Sequence, residues 1–356
     1  MQIDLIQEAR RQAEICNACR YCEGYCAVFP SLQDNRIFSD GDITQLANLC
    51  HNCRGCYYAC QYTAPHEFDL NLPKALADVR QDSWETFAYP QAIARTFQRN
   101  GMMIAFASVL AFALVFVVAN WLGRGRDGNA FYAVMSHGMM VAIFAPAFLL
   151  PLASLGVGLR RYWRVVGGER VTSAHILSAI KSAGEMRNLA GGHGDGCNFE
   201  DEDRFTQARR VAHQLVLYGF LLCFASTSAG TLMHYLLGIH APYTFWSLPK
   251  LLGVPGGILL AFGAVWMFVL KRRGDRHLGS VSAWSGEVAF IVLLGFVAIS
   301  GLALYAFGAT PLMPPLLYLH LGAVLSFFLL TPFSKMAHGF YRFAALVRDA
   351  QRKLPQ

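Results

Sequence analysis

The chain has 356 residues, of which 54% are apolar and 15% are charged, whereas soluble domains carry about 25% charged residues. This composition excludes a soluble globular enzyme and a disordered chain, and it predicts an integral membrane protein. The net charge of +7 does not indicate a nucleic-acid partner, because residues 1–100 carry more acidic than basic residues and the positive excess lies beside long apolar runs.

Residues 1–100 are predicted to form a small, mainly helical, cytoplasmic head. Ile3 and Ile6 have helical spacing, and residues 73–100 return to a helical pattern. Eight of the ten cysteines lie in this segment, and its first residues do not resemble a signal peptide, so we expect the cysteines to stay reduced. Because a head of this size is too small for a conventional core, bound metal is expected to stabilise it.

The eight cysteines form the run Cys-x2-Cys-x2-Cys-x3-Cys twice. This spacing is typical of bacterial two-cluster ferredoxins, in which each [4Fe-4S] cluster takes three cysteines from one run and the fourth from the other. Ala27 and Gln61 stand where the ferredoxin pattern has proline. Structural zinc is the alternative, but zinc motifs use well-separated cysteine pairs. We therefore predict one cluster on Cys16, Cys19, Cys22 and Cys60 and a second on Cys50, Cys53, Cys56 and Cys26.

Residues 101–340 are predicted to form a transmembrane haem domain with six spans, since each span needs about 20 apolar residues. An even number of spans puts both termini on one side. With that side cytoplasmic, only Arg124, Arg126 and Lys250 fall in external loops, as the positive-inside rule requires. The loop at about 160–211 and the tail at 341–356 are then cytoplasmic. The spans are expected at 102–122 and at about 130–159, 212–238, 251–270, 287–308 and 316–334.

Histidines in or beside the spans are candidate haem ligands, because ionisable residues inside a membrane are rare and mostly functional. His213 and His338 lie toward the cytoplasmic side, and His234 and His320 lie toward the external side. His320 and His338 are 18 residues apart, which would place both on one face of a continuous helix. We predict an inner haem b held by His213 and His338 and an outer one held by His234 and His320.

Other readings of these histidines stay open. His137 is an alternative ligand for the outer haem or a quinone contact, and His240 also competes for the outer position. A single membrane histidine can simply hydrogen-bond a neighbouring helix. Pro332 can kink the sixth span and disturb the spacing between His320 and His338. One or two haems are therefore expected.

The remaining motifs are given structural roles. Residues 191–196 are expected to form a flexible turn, and the glycines within 252–257 are expected to allow close helix packing or a bend. Cys197 and Cys223 are expected to be a loop thiol and a small buried apolar residue. No dinucleotide-binding fingerprint is present, so a partner must hold any flavin.

The chain resembles the tricarballylate utilization protein B family, also labelled citrate utilization protein B, over nearly its whole length. The resemblance rests on the two cysteine runs, the six spans and the segments 209–243 and 331–346. It implies a membrane electron carrier that reoxidises the FAD of a separate tricarballylate dehydrogenase, which converts tricarballylate to cis-aconitate. The electrons would then pass toward the quinone pool.

We therefore expect a mainly α protein with a ferredoxin-like head and a cytochrome b-like six-helix bundle in a bacterial-type inner membrane. Electrons from the FAD-dependent dehydrogenase would pass through two [4Fe-4S] clusters and haem b to quinone, and substrate oxidation would occur on the partner. One alternative is a quinol-oxidising anchor for a different cytoplasmic reductase. Another is a redox-sensing or gas-sensing haem protein, which would need an open haem coordination position. The sequence leaves the direction of flow, the quinone site and the oligomeric state open.

Overall fold

The computed structural model describes residues 4–122, 134–191, 194–198 and 204–354. These residues form a small head at one end of a bundle of long helices. We call the two ends of the bundle the head end and the far end. The expected mainly helical fold is confirmed for the described residues.

The head is built from short helices joined by the two cysteine-bearing loops. The Asp4 carboxylate accepts hydrogen bonds from the backbone N–H groups of Ile6 and Gln7 and so starts the first helix. Ser39 and Asp42 form a capping box that starts the third helix. The five helices are α1 (Leu5–Cys19), α2 (Val28–Gln33), α3 (Asp40–Leu49), α4 (Gly55–Tyr58) and α5 (Leu72–Phe87).

Among the described residues, six further helices are long and apolar enough to cross a membrane, which matches the expected number of spans. Large apolar side chains such as Phe106 and Leu150 point outward from the bundle and are about two-thirds exposed (67% and 66%), as expected where lipid covers the surface. The six helices are α6 (Gln91–Leu122), α7 (His137–Val165), α9 (Ala208–Leu237), α10 (Leu248–Arg273), α11 (Trp284–Phe307) and α12 (Met313–Leu330).

The sixth span ends earlier than expected. Helix α12 stops at Leu330, and backbone hydrogen bonds typical of turns follow it before the next helix starts at Ala337. Pro332 explains the break, because proline lacks an N–H group and clashes with the preceding helical turn. The expectation that His320 and His338 share one continuous helix is therefore wrong, and the spacing argument that aligned them does not hold.

Two amphipathic helices complete the head, namely α8 (Ser173–Glu185) in the long loop and α13 (Ala337–Lys353) at the C-terminal end. The side chain of Gln45 in α3 donates a hydrogen bond to the backbone carbonyl of Ala345 at 2.8 Å. Apolar residues from α7, α8 and α13 share one buried core with α1, α3 and α5. This core is larger than residues 1–100 can supply alone, so bound metal is not the sole source of its cohesion.

An ion pair links α13 to α3 of the head. Arg352 donates to the carboxylate of Asp42 at 2.8 Å. Burial would raise the pKa of Asp42, but hydrogen bonds from Ser39 and Arg352 outweigh it and lower that pKa below its ordinary value. The pair therefore stabilises the folded head while Asp42 is ionised.

Glycines bring α9 and α10 into close contact. A Cβ atom on Gly256 would lie 2.8 Å from the Cβ of Leu222 and 3.0 Å from the backbone nitrogen of Cys223. A Cβ atom on Gly219 would lie 2.5 Å from the backbone nitrogen of Leu260. Only glycine fits at such backbone separations, so the expected close packing within residues 252–257 is confirmed at Gly256.

Candidate metal centres

The two cysteine runs occupy tight loops with left-handed backbone at three non-glycine residues. Arg20 has φ 57°, Asn52 has φ 50° and Arg54 has φ 67°. Such values are uncommon outside glycine and mark a backbone held in place by its surroundings. These turns let each run curl, so that cysteines three residues apart in sequence point toward a common space.

One cavity brings together the four cysteines assigned to the first cluster. Its volume is about 230 Å³, and Cys16, Cys19, Cys22 and Cys60 all line it together with Cys56. The backbone N–H of Tyr62 donates to the sulfur of Cys60 at 3.4 Å. Hydrogen bonds of this kind accompany cluster thiolates and tune their reduction potential. The residues present thus fit a cluster that takes its fourth ligand from the second run.

The remaining four cysteines form a second group beside the first. Burial first, and then the neighbouring thiols Cys53 and Cys50, raise the pKa of Cys26 well above its ordinary value. The backbone N–H of Asn52 donates to the sulfur of Cys50 at 3.3 Å. Cys56 has the thiols of Cys26, Cys50 and Cys53 near it and also lines the first cavity. The two groups are therefore adjacent, with Cys26 beside the second run.

In the part of the chain that the structure describes, no three His, Cys, Asp or Glu side chains converge closely enough to hold a single metal ion. A [4Fe-4S] cluster has a different requirement, because each thiolate binds its own iron at a separate corner. The first cysteine cavity meets this requirement, because its cysteines line a space of about 230 Å³ and do not converge on one point.

Cys197 contacts the second cysteine group, which the sequence analysis did not anticipate. Its side chain is 1% exposed and packs with Cys53, Met186 and Leu189. The Cys197 thiol donates a hydrogen bond to the backbone carbonyl of Leu189 at 3.3 Å. The closeness of the two thiols lowers the pKa of Cys53 and raises that of Cys197. Gly191 and Gly196 of the glycine-rich segment line a small cavity with Cys53, whereas residues 192 and 193 lie outside the described residues. No sequence signal links Cys53 and Cys197, which are 144 residues apart.

At the head end of the bundle, the structure brings His213 and His338 together. Their ring centroids are 5.9 Å apart, with an angle of 64° between the ring planes. Two imidazoles that bind one metal from opposite sides, with bonds of about 2 Å, place their centroids about 6 Å apart. This spacing fits the inner haem position.

A hydrogen bond to the backbone orients the ring of His338 for ligation. Nδ1 of His338 hydrogen-bonds the backbone carbonyl of Lys335, so Nδ1 carries the proton and Nε2 is left as a ligand. Burial, followed by the charge of Lys335, lowers the pKa of His338 well below its ordinary value and keeps the ring neutral. Nδ1 of His213 is buried without a hydrogen-bond partner among the described residues.

Arginine side chains connect the second cysteine group to this histidine pair. Arg342, one helical turn after His338, donates to the backbone carbonyl of Cys50 at 2.5 Å, and Arg80 donates to the same carbonyl at 2.6 Å. His51, which follows Cys50 in sequence, lines the cavities around the histidine pair. The second cysteine group therefore adjoins the candidate haem position.

The structure does not bring the proposed outer pair into ring contact. The ring of His234 stacks on His137 with centroids 3.9 Å apart, and its Nδ1 hydrogen-bonds Nδ1 of His240 at 2.9 Å. His320 instead hydrogen-bonds the hydroxyl of Ser300 at 3.1 Å. Among the described residues, His234 thus contacts His137 and His240, and His320 contacts Ser300.

Charged residues at the head end were also missed. The carboxylate of Glu287 accepts hydrogen bonds from both Lys271 and Lys335 inside the protein. A signal was present in the sequence, because Glu287 lies at the start of an apolar span, where an acidic residue is unusual.

Comparison with known proteins gives two family matches that together cover most of the chain. A family model described as citrate utilization protein B matches residues 95–355, and one described as citrate utilization protein B Fer4-like domain matches residues 9–86. Citrate utilization protein B of Escherichia coli is 39% identical over 354 residues, which span 97% of this chain and 92% of the relative. No solved structure matches the chain.

Proposed function

Because the chain belongs to the citrate utilization protein B family, we propose that it carries electrons from a cytoplasmic FAD-dependent dehydrogenase to the quinone pool. The carriers are two [4Fe-4S] clusters in the Fer4-like head and one haem b at the head end of the bundle. The resemblance stated above makes tricarballylate dehydrogenase the candidate donor. The enzyme that oxidises the substrate is the partner, and this chain is the electron-transfer subunit.

One observation carries this proposal, namely the order in which the candidate centres follow each other from the head into the bundle. The first cysteine cavity shares Cys56 with the second group, and Cys50 of that group accepts a hydrogen bond from Arg342. Arg342 lines the same cavities as His213 and His338. Electron transfer through a protein needs one-electron centres that adjoin one another in series. The two cysteine groups and the histidine pair are arranged in such a series, which a single isolated site would not produce.

When bound, the clusters and the haem accept and release single electrons. The residues of the chain hold, orient and insulate these groups. The left-handed turns at Arg20 and Asn52 shape the cysteine loops, and N–H groups from Asn52 and Tyr62 stabilise the thiolates. The backbone carbonyl of Lys335 sets the tautomer of His338.

The first cysteine cavity is open to an approaching electron donor. Cys19 is exposed, and Tyr21 beside it is 70% exposed. A flavoprotein docked on this face would bring its cofactor near the first cluster rather than near the membrane. The concentration of basic residues in the loops at the head end supports a cytoplasmic position for this face and for both termini.

We propose one haem rather than two. His213 and His338 have the separation that two ligands of one metal need, whereas His234 contacts His137 and His240 and His320 contacts Ser300. Two histidine ligands leave no open coordination position, which favours electron transfer over gas sensing.

The test is a stopped-flow experiment on the protein purified anaerobically and placed in lipid nanodiscs. The protein is first reduced chemically and then mixed with a short-chain quinone. We expect the reduced haem b spectrum to revert to the oxidised form as quinol appears. A haem that stays reduced in the presence of quinone would contradict the assigned acceptor, and rapid CO binding by the reduced haem would contradict two histidine ligands.

A further inference from the structure

Two cavities of different chemical character meet at the histidine pair. The first, called the basic cavity, has a volume of about 140 Å³ and lies between the head and the bundle. The second, called the apolar cavity, has a volume of about 1020 Å³ and is lined mostly by apolar side chains such as Leu217 and Phe343, although Arg160, Arg164 and Arg342 also line it. His213 and His338 line both cavities. A flat ligand held between the two rings therefore reaches into both.

The basic cavity carries a large excess of positive charge. Among its described lining residues, Glu287 is the one acid, and Lys271 and Lys335 already share it. Arg80 and Arg342 donate to uncharged backbone carbonyls, including that of Cys50. The six cations of the lining are Arg54, Arg80, Arg209, Arg342, Lys271 and Lys335.

This excess has an energetic cost in a buried position. A buried cation is stable when an anion of matching charge lies near it, and uncompensated charge is costly. The cavity is therefore built for a ligand that brings more than one negative charge, beyond what Glu287 supplies.

Haem b has the required composition, because its macrocycle is apolar and carries two carboxylates on one edge. We propose that the basic cavity binds the two propionates of the haem held by His213 and His338, and that the apolar cavity takes the opposite, hydrocarbon edge. This inference rests on the haem of the proposed function. It adds the orientation of that haem and assigns Arg342 and Arg80 as propionate-binding residues.

The thiolates of the second cysteine group are a competing source of negative charge, because Arg342 and Arg80 both contact the carbonyl of Cys50. If these arginines compensate only the charge of the cluster, replacing them would not change the contribution of the haem carboxylates to haem affinity. The experiment must therefore change the charge of the protein and the charge of the haem separately.

Such an experiment is a double-mutant cycle between Arg342→Gln and the haem. Full-length protein with loaded clusters is produced under haem limitation and titrated with haem b or with its dimethyl ester, which lacks both carboxylate charges. Binding is followed by the Soret band, so no activity is needed. The matched control is Arg348→Gln, which alters the same helix at a residue that pairs with Glu169 and lines neither cavity.

In the wild-type protein and in Arg348→Gln, we expect the ester to bind at least about tenfold more weakly than haem, since a charge-assisted hydrogen bond contributes about 1.5–3 kcal/mol. In Arg342→Gln the ratio of the dissociation constant of the ester to that of haem should fall about tenfold. Arg342→Lys should restore part of this ratio. Arg342 lines both cavities, whereas Arg80 lines the basic cavity alone. Arg80→Gln should therefore lower the ratio as well, which places the propionates in the basic cavity.

Two results would overturn the inference, and they are distinct from failure of the proposed function. Equal binding of haem and ester to the wild-type protein would place the propionates elsewhere. An unchanged ratio in Arg342→Gln, together with an altered electron paramagnetic resonance (EPR) spectrum of the second cluster, would assign the arginines to the cluster alone. A wild-type protein that binds neither haem nor ester would refute the proposed function itself, and this inference with it.

Discussion

The crossed arrangement of cluster ligands predicts how pairs of cysteine substitutions combine. Cys60 of the second run lines one cavity with Cys19 of the first run, whereas Cys53 lies in the other group. Two clusters contain about eight non-haem irons. Loss of one ligand from one cluster should therefore reduce the iron content from about eight to about four per chain.

The double variants separate the two possible arrangements. With crossed ligands, Cys19→Ala/Cys60→Ala affects one cluster and should keep about four irons, while Cys53→Ala/Cys60→Ala affects both and should keep close to none. The assay is iron and acid-labile sulfide analysis of anaerobically purified protein, with EPR of the reduced state. Cys223→Ala, which changes a cysteine within a membrane helix, is the control and should keep all the iron. The opposite outcome for the two double variants would refute crossed ligation.

Three further outcomes follow from the structure. His338→Ala should abolish the b-type haem spectrum while His277→Ala retains it, and full retention in both would remove the histidine pair as ligands. Cys197→Ala should lower the reduction potential of the second cluster in an EPR-monitored titration, because Cys53 loses a neighbouring thiol that favours its ionised form. An unchanged potential would show that Cys197 only fills space. The lowered pKa of Asp42 contributes stability that is present above its unfolded value of about 3.9 and is lost as the pH falls through the folded value. Asp42→Asn should therefore weaken the acid-side loss of thermal stability, and an unchanged pH profile would contradict that role.

The candidate spans and the grouping of cysteines from both runs around one cavity could be predicted because each depends on a recognisable sequence pattern. Uninterrupted apolar runs are sufficient to identify spans such as α11. Likewise, the spacing of Cys16, Cys19 and Cys22 favours a [4Fe-4S] cluster over a structural zinc ion. Cys60 could be placed with them because the ferredoxin pattern itself contains the exchange between runs.

The features that were missed depend on contacts between distant parts of the chain. Helix α13 returns to the head, where its Ala345 meets Gln45, although its charged sequence is typical of a solvated tail. His213 and His338 are adjacent as expected, but the helical spacing that suggested it was wrong, since Pro332 ends the sixth span early. Their contact comes instead from the packing of α13 into the core of the head, beside the bundle.

The far end of the bundle shows the same limit. Depth in the membrane could be estimated for His234 and His320 from their positions along each span, but depth does not determine which helices are neighbours. The loop after α9 returns His240 to His234, and the start of α7 brings His137 against the same ring. Pairing between helices depends on packing, and small residues such as Gly256 determine which helices approach closely.

The most direct test of the electron-wire account is a metal and cofactor count on anaerobically purified protein. Iron, acid-labile sulfide, zinc and pyridine haemochrome are measured on the same sample. The account predicts about eight non-haem irons, a matching amount of sulfide and about one haem b per chain. About two zinc ions per chain with no sulfide and no haem would contradict it.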